Sequence, residues 1–136
     1  MENNIKRKEY FVKLADKLNG TYIEYTEEIC IISLRLDDGR SQSVRGFFKQ
    51  RGQDLMLLLM SKVCFLDEYP NVDFRKLIEE NNHLHYSKFV IHHDYLEVLA
   101  DTHFSDITVE YLEHVALEVA KTADDWEFKI TGQDIH

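Results

Sequence analysis

Residues 28–66 read EICIISLRL DDGR SQSVRGFFKQ RGQD LMLLLMSKVCFL, which is three runs separated by two turn sequences. In the first run the even-numbered residues from Cys30 to Leu36 are all apolar, and the odd-numbered residues from Ile29 to Arg35 become polar towards the end. This period of two is typical of a strand with two different faces. The Asp-Asp-Gly-Arg turn predicts a hairpin, because glycine supplies the positive φ that tight loops need. The stretch therefore predicts neighbouring antiparallel strands.

The third run, residues 55–66, is the longest apolar segment and is compatible with a helix or a strand by periodicity alone. We interpret it as a strand because it follows two hairpin-linked strands and ends in Val-Cys-Phe-Leu. Lys62 then fixes its orientation. The residues that share a face with this lysine, Met56, Leu58 and Met60, are predicted to point away from the core.

The rest of the chain adds helices around these strands. Asn19-Gly20 is a helix stop, Pro70 precedes a helix, and Thr108 is a plausible N-cap. The predicted elements are a helix at 3–18, a strand at 21–25, strands at 28–36, 41–50 and 55–66, a helix at 71–82, strands at 85–91 and 95–101, and a helix from Thr108. The tail from Asp124 either extends the last helix through Trp126 or frays. We predict one α+β domain, residues 1–136, with an antiparallel sheet of about five strands and three helices in the order α-β-β-β(β)-α-β-β-α.

Composition excludes several classes of protein. The 136 residues are 44% hydrophobic and 30% charged, with one proline and five glycines, which argues against disorder. The longest apolar run, Leu55 to Met60, is far shorter than a bilayer-crossing helix, and no export signal is recognisable at the N-terminus. We expect a cytoplasmic protein. The net charge of −9, to which residues 101–136 contribute −7, predicts no binding to nucleic acid or to membranes.

Motifs for catalysis or cofactors are sparse. The sequence has no phosphate-binding glycine loop, nucleophile elbow or zinc-protease motif, so no cofactor is predicted. Cys30 and Cys64 lie in apolar runs and are interpreted as buried reduced thiols. His83 and His85 share a strand face and could bind a metal with Glu79, but we expect them to be ordinary surface histidines. No catalytic residue is assigned.

One apolar surface stands out for binding. Three helices on one side of a sheet cannot also cover its other side, where six apolar residues collect: Ile29, Ile31, Phe47, Met56, Leu58 and Met60. An exposed apolar patch usually marks an interface, and methionines adapt to varied partners. The alternatives are that one strand faces the other way, or that the last helix and Trp126 cover this face. If the patch is a binding site, Leu58→Asp should spare the fold and abolish partner capture.

A family resemblance adds to this interpretation. The pattern Leu77-Ile78-x-x-Asn81-x-x-Leu84-x-Tyr86-Ser87-Lys88-Phe89-x-Ile91, followed by an apolar strand and a helix with Ala120 and Ala123-Asp124, resembles the YbjN family and its relatives with the type III secretion chaperone-like fold. The hairpin at residues 38–44 is similar to their first hairpin. The resemblance implies no catalytic residues. Secretion chaperones of this fold are acidic cytoplasmic homodimers that hold an extended partner polypeptide, and YbjN-like members are described as regulators of sensory transduction.

These observations support a non-enzymatic protein-binding module, chaperone-like or regulatory, that holds a partner polypeptide on an apolar sheet face. The partner is expected to be a protein or peptide, and the chain is expected to form a homodimer. The alternative is a small metal-dependent or acid-base enzyme that uses the His83/His85 cluster. A third hypothesis is a regulatory or immunity-type protein whose partner is folded.

Overall fold

A computed structural model describes residues 2–132, with the side chains of residues 8–132 other than that of residue 106. Three α-helices and six strands of the described residues follow the predicted order. They are α1 (Glu2–Lys17), β1 (Thr21–Glu24), β2 (Ile29–Arg35), β3 (Ser41–Arg51), β4 (Asp54–Phe65), α2 (Phe74–Glu80), β5 (Lys88–His92), β6 (Tyr95–His103) and α3 (Val109–Thr131). The α+β class is confirmed, and the ambiguous run after the second turn is a strand. None of the helices in the described residues is long and apolar enough to cross a membrane.

The predicted turn, cap and stop residues lie at the ends of the observed helices and strands. Asn19, just after α1, has a left-handed φ of 53°, and Gly39 in the β2–β3 turn has a φ of 85°. The Thr108 hydroxyl accepts a hydrogen bond from the Tyr111 amide at 3.1 Å and so caps α3. At the other end, Gly132 takes the left-handed conformation that stops α3. The tail from Asp124 is therefore helical as far as Thr131, and residues 133–136 lie outside the described part of the chain.

All six strands form one antiparallel sheet in the order β1-β2-β3-β4-β6-β5. The register pairs Ile29 of β2 with Phe47 of β3, and Phe47 with Leu58 of β4. A bulge between Lys62 and Cys64 shifts the pairing of β4 with β6. The longest strands, β3 and β4, lie in the middle of the sheet, which is where burial is greatest.

The helices lie on one face of the sheet. α3 packs across β3, β4 and β6, and α1 packs on β1, β2 and α3. The core cluster accordingly combines helix residues such as Leu14 and Leu112 with strand residues such as Ile32, Leu57 and Val98. These strand residues all belong to the same face, so the core lies between this face and the helices.

The approach of α1 to the sheet is close at Gly46. A Cβ atom at this glycine would lie 2.5 Å from Cε1 of Phe11 and 3.2 Å from Sγ of Cys30. The aromatic ring therefore occupies the space that a side chain at position 46 would need. Glycine is required here for close approach of a ring to the backbone, not for a special dihedral angle.

The structure corrects the account of α2. The sequence predicted a helix over 71–82, in which Phe74, Leu77 and Ile78 share one face, but α2 spans Phe74–Glu80 and only Leu77 is buried. Phe74 is 43% exposed and Ile78 is 68% exposed. A helix of two turns that contacts the core through one residue cannot bury a full apolar stripe. The following strand also starts later than predicted, at Lys88 instead of His85.

Candidate functional site

The sheet face opposite the helices is the candidate site. We call it the open sheet face, because none of the described helices packs on it. Alternation along each strand and the cross-strand register assign its residues. They are Thr21 and Ile23 of β1; Ile29, Ile31, Ser33 and Arg35 of β2; Ser41, Ser43, Arg45, Phe47, Lys49 and Arg51 of β3; Asp54, Met56, Leu58, Met60, Lys62 and, beyond the bulge, Phe65 of β4; Tyr95, Glu97, Leu99, Asp101 and His103 of β6; and Lys88, Val90 and His92 of β5.

All six apolar residues predicted to share a face lie on the open sheet face. Ile29, Phe47 and Leu58 form one cross-strand row. Met60 lies beyond Arg45 in the row that begins at Ile31, and Met56 lies opposite Lys49. Trp126 packs against Phe89 on the helix side, with ring centroids 5.7 Å apart. The alternative in which the last helix and Trp126 cover the apolar residues is therefore wrong. That these residues bind a partner stays a prediction.

The six residues differ in burial. Ile29, Ile31 and Phe47 are half-buried, but Met56, Leu58 and Met60 are only 7%, 5% and 4% exposed. These three lie on a central strand, where side chains on the neighbouring strands shield them. Leu58→Asp would place a carboxylate in this buried position directly opposite Asp101, and burying an unpaired charge costs several kcal/mol. The expectation that this variant spares the fold is therefore corrected, and Phe47 is the better test position.

A buried carboxylate sits within the open sheet face. Glu97 of β6 is 1% exposed, and it accepts a hydrogen bond from Nη2 of Arg45 on one oxygen. Nδ1 of His92 lies 3.1 Å from the other oxygen. Each carboxylate oxygen of Glu97 thus has a hydrogen-bond partner, which offsets the cost of burying the charge. Sequence reasoning missed this group, although a lone glutamate within the apolar strand Leu96 to Ala100 is a visible signal.

The weak metal candidate does not assemble. Oε1 of Glu79 accepts a hydrogen bond from Nε of Arg75, and the backbone amide of His85 donates to Glu118 at 2.6 Å. Glu79, His83 and His85 are not a metal-ligand group in the structure. Among the described residues, three acidic, histidine or cysteine side chains come within 4.8 Å of one another at one place, where Asp38, Asp124 and Asp125 meet.

That acidic group is held together by an arginine. Nη2 of Arg40 lies 2.9 Å from Asp38 and 2.9 Å from Asp124, and its guanidinium stacks 4.3 Å from the ring centre of Phe128. Burial raises the pKa of Asp124 to about 6, and the neighbouring Asp38 acts in the same direction while Arg40 opposes it. The pKa of Asp38 is lowered, first by the Arg40 amide that donates to it. The cluster joins the β2–β3 turn to α3 and is a structural contact.

The two cysteines are buried and free, as predicted. Burial raises the pKa of Cys30 to about 12 and that of Cys64 to about 11. The thiolate is the reactive form of cysteine, so neither side chain is suited to be a nucleophile near neutral pH.

The fold is similar to that of one chain in the crystal structure of the ExsC–ExsE complex, with a TM-score of 0.65. The two sequences are 20% identical, and the match covers 93% of this chain and 95% of the other. At this identity the likeness shows the fold alone, and the predicted type III secretion chaperone-like fold is confirmed. No protein-family model and no curated protein matches the chain. The resemblance to the YbjN family stays a prediction.

Proposed function

We propose that this protein is a non-enzymatic protein-binding module, chaperone-like or regulatory, that holds a partner polypeptide on the open sheet face. The observation that carries the proposal is the cross-strand row Ile29–Phe47–Leu58, which lies on the side of the sheet without helices. Leu58 is buried, but Ile29 and Phe47 are only half-buried, and apolar surface that stays accessible favours an interface. The similar fold found in the ExsC–ExsE complex belongs to an assembly of two proteins and supports the same role.

The shape of the surface favours an extended segment over a small molecule. Neighbouring strands are about 4.8 Å apart, so side chains on the open sheet face form rows with shallow grooves between them. An extended segment projects every second side chain to one side and can place these in successive grooves. Ile23 on β1 is 47% exposed and lies opposite Ile31, which prolongs the apolar surface towards the sheet edge.

We also propose that the protein acts as a homodimer in the cytoplasm. The support is a second apolar surface, separate from the open sheet face. Phe74 and Ile78 are exposed one helical turn apart on α2. Nearby, the side-chain oxygen of Asn81 accepts a hydrogen bond from the amide of Phe89 and joins this helix end to β5, where Ile91 is also exposed. A dimer through α2 would leave the open sheet face free for a partner.

The test is selection of peptides from a random phage-displayed library against the purified protein. Peptides that bind the wild type are then measured against Phe47→Ser and a matched control, Phe128→Ser. Both replaced rings are partly exposed, but Phe128 lies on α3, away from the open sheet face. We expect Phe47→Ser to weaken binding about tenfold or more, as removal of a central aromatic contact commonly does, and Phe128→Ser to change it little.

Circular dichroism and thermal unfolding show whether each variant is folded. A library that yields no binding peptide would contradict the proposal. So would peptides that bind Phe47→Ser as tightly as they bind the wild type.

A further inference from the structure

Charge is divided unequally between the two faces of the sheet. All six lysines and arginines of the strands lie on the open sheet face, together with three acidic residues, so this face carries a net +3. The face covered by helices has one charged strand residue, Glu24, which pairs with Lys8 of α1. The whole chain has 16 basic and 25 acidic residues. A basic surface on so acidic a protein requires an explanation.

Two of these cations are paired with a carboxylate, one lies over an aromatic ring, and three have neither kind of partner among the described residues. Arg45 pairs with Glu97, Arg51 pairs with Asp101 at 3.0 Å, and Nζ of Lys62 lies 4.3 Å from the ring centre of Tyr95. The other three are Arg35, Lys49 and Lys88. Each is exposed, and none has a carboxylate within 4.0 Å among the described residues.

The unpaired cations border the apolar residues. Lys49 lies directly opposite Met56, and Lys88 lies opposite Leu99, the neighbour of Met60. Arg35 ends β2 beyond Ser33. A chain bound along the apolar rows would thus meet positive charge on several sides. We infer that the open sheet face takes a polypeptide segment that alternates apolar and acidic side chains, with carboxylates paired to Lys49 and Lys88. The inference rests on the proposed function and specifies its partner.

Two other occupants fit less well. A second copy of this chain, stacked face to face, would bring two surfaces of net +3 together. An anionic membrane would attract the cations, but the apolar side chains of β4 are recessed. Met56, Leu58 and Met60 are at most 7% exposed and do not project far enough to insert into lipid. An extended polypeptide brings its own side chains to the surface and does not need such projection.

Three fluorescein-labelled peptides of one length test the inference. Each alternates leucine with a second residue, which is glutamate, glutamine or lysine, and binding is measured by fluorescence anisotropy at low salt. We expect the glutamate peptide to bind tightest and the lysine peptide weakest. The double variant Lys49→Glu/Lys88→Glu should bind the glutamate peptide roughly tenfold more weakly, because two attractions between charges become repulsions. Salt at about 1 M, where the Debye length is about 3 Å, should remove the preference.

The matched control is Lys13→Glu/Lys121→Glu, which changes the net charge equally at exposed lysines of α1 and α3. We expect it to keep the order of the three peptides. If both double variants lost the same amount of affinity for the glutamate peptide, the inference would be overturned, since the net charge of the protein would then explain the preference. If all three peptides bound the wild type equally and Phe47→Ser bound none of them, the inference would be overturned. The proposed function would still be supported. Failure of all three to bind, or preferential binding to phosphatidylserine vesicles, would also overturn it.

Discussion

Arg40 joins two parts of the chain that are far apart in sequence. It comes from the β2–β3 turn and pairs with Asp124, 84 residues later on α3, as well as with Asp38 in its own turn. Asp124 is almost fully buried, so its carboxylate depends on the guanidinium for compensation. The sequence showed Asp124-Asp125 only as an acidic pair in the tail. Periodicity does not report contacts between residues this far apart, and for this reason the cluster was not predicted.

The raised pKa of Asp124 predicts a pH dependence of stability. A carboxyl whose pKa is higher in the folded than in the unfolded state favours folding below its unfolded value of about 3.8, and this advantage is lost as the pH rises through about 6. The free energy of unfolding of the wild type, relative to Asp124→Asn, should therefore fall by about 1–3 kcal/mol between about pH 4 and about pH 7. Urea unfolding across this range measures it.

The control for that series is Asp125→Asn, because Asp125 is exposed and lies 3.8 Å from Arg40. The free energy of unfolding of the wild type, relative to Asp125→Asn, should change little with pH. A difference between the wild type and Asp124→Asn that stays flat or increases with pH would contradict the prediction.

At the scale of elements, the sequence predicted best where a local signal fixes the backbone. The glycine turn at Gly39, the stop at Asn19 and the cap at Thr108 all lie where they were expected. α2 was predicted less well, because its length and orientation depend on contacts with other elements. Its pattern of apolar residues suits a buried helix, yet only Leu77 enters the core.

The backbone of the segment before β5 is bound by the carboxylate of Glu118 on α3. The carboxylate of Glu118 accepts hydrogen bonds from the backbone amides of His85 and Tyr86, at 2.6 and 2.8 Å, and from the Ser87 hydroxyl at 3.0 Å. The sequence suggested a strand here, with His83 and His85 expected at the surface and only weak candidates for metal ligands. The observed segment is instead a loop whose backbone donors are satisfied by one acid.

Glu118→Ala should therefore loosen this loop without unfolding the protein. The amides of His85 and Tyr86 lose their acceptors, and we expect them to exchange with solvent about tenfold faster or more, while the core amides keep their rates. Hydrogen exchange followed by NMR measures this. Glu113→Ala is the matched control, since Glu113 is on the same helix and is not an acceptor for these amides. Unchanged exchange at both amides would contradict the prediction.

For the whole molecule, strand alternation was enough to predict which six apolar residues share a face. It did not predict their burial, because shielding of Met56, Leu58 and Met60 depends on strand order in the sheet. Strand alternation also did not predict that lysines and arginines border these apolar residues. The cations are spread over β2, β3, β4 and β5, and only the register of the sheet brings them to one surface.

The proposed homodimer predicts a mass change. Light scattering after size-exclusion chromatography should give twice the chain mass of 16.1 kDa for the wild type. Ile78→Asp should shift the mass towards the monomer, because it places a charge in the proposed α2 interface. The control is Val12→Asp, at another partly exposed apolar position on α1. A monomeric wild type at all concentrations, or an equal shift in both variants, would contradict the dimer.

The contact between Phe11 and Gly46 has a consequence for evolution. The ring occupies the space that any side chain at position 46 would need, so neither residue can change freely while the other stays. Among homologous sequences, an alanine at position 46 should occur together with a smaller residue at position 11. Such covariation would identify distant relatives of this domain when overall identity has fallen too low for alignment to be reliable.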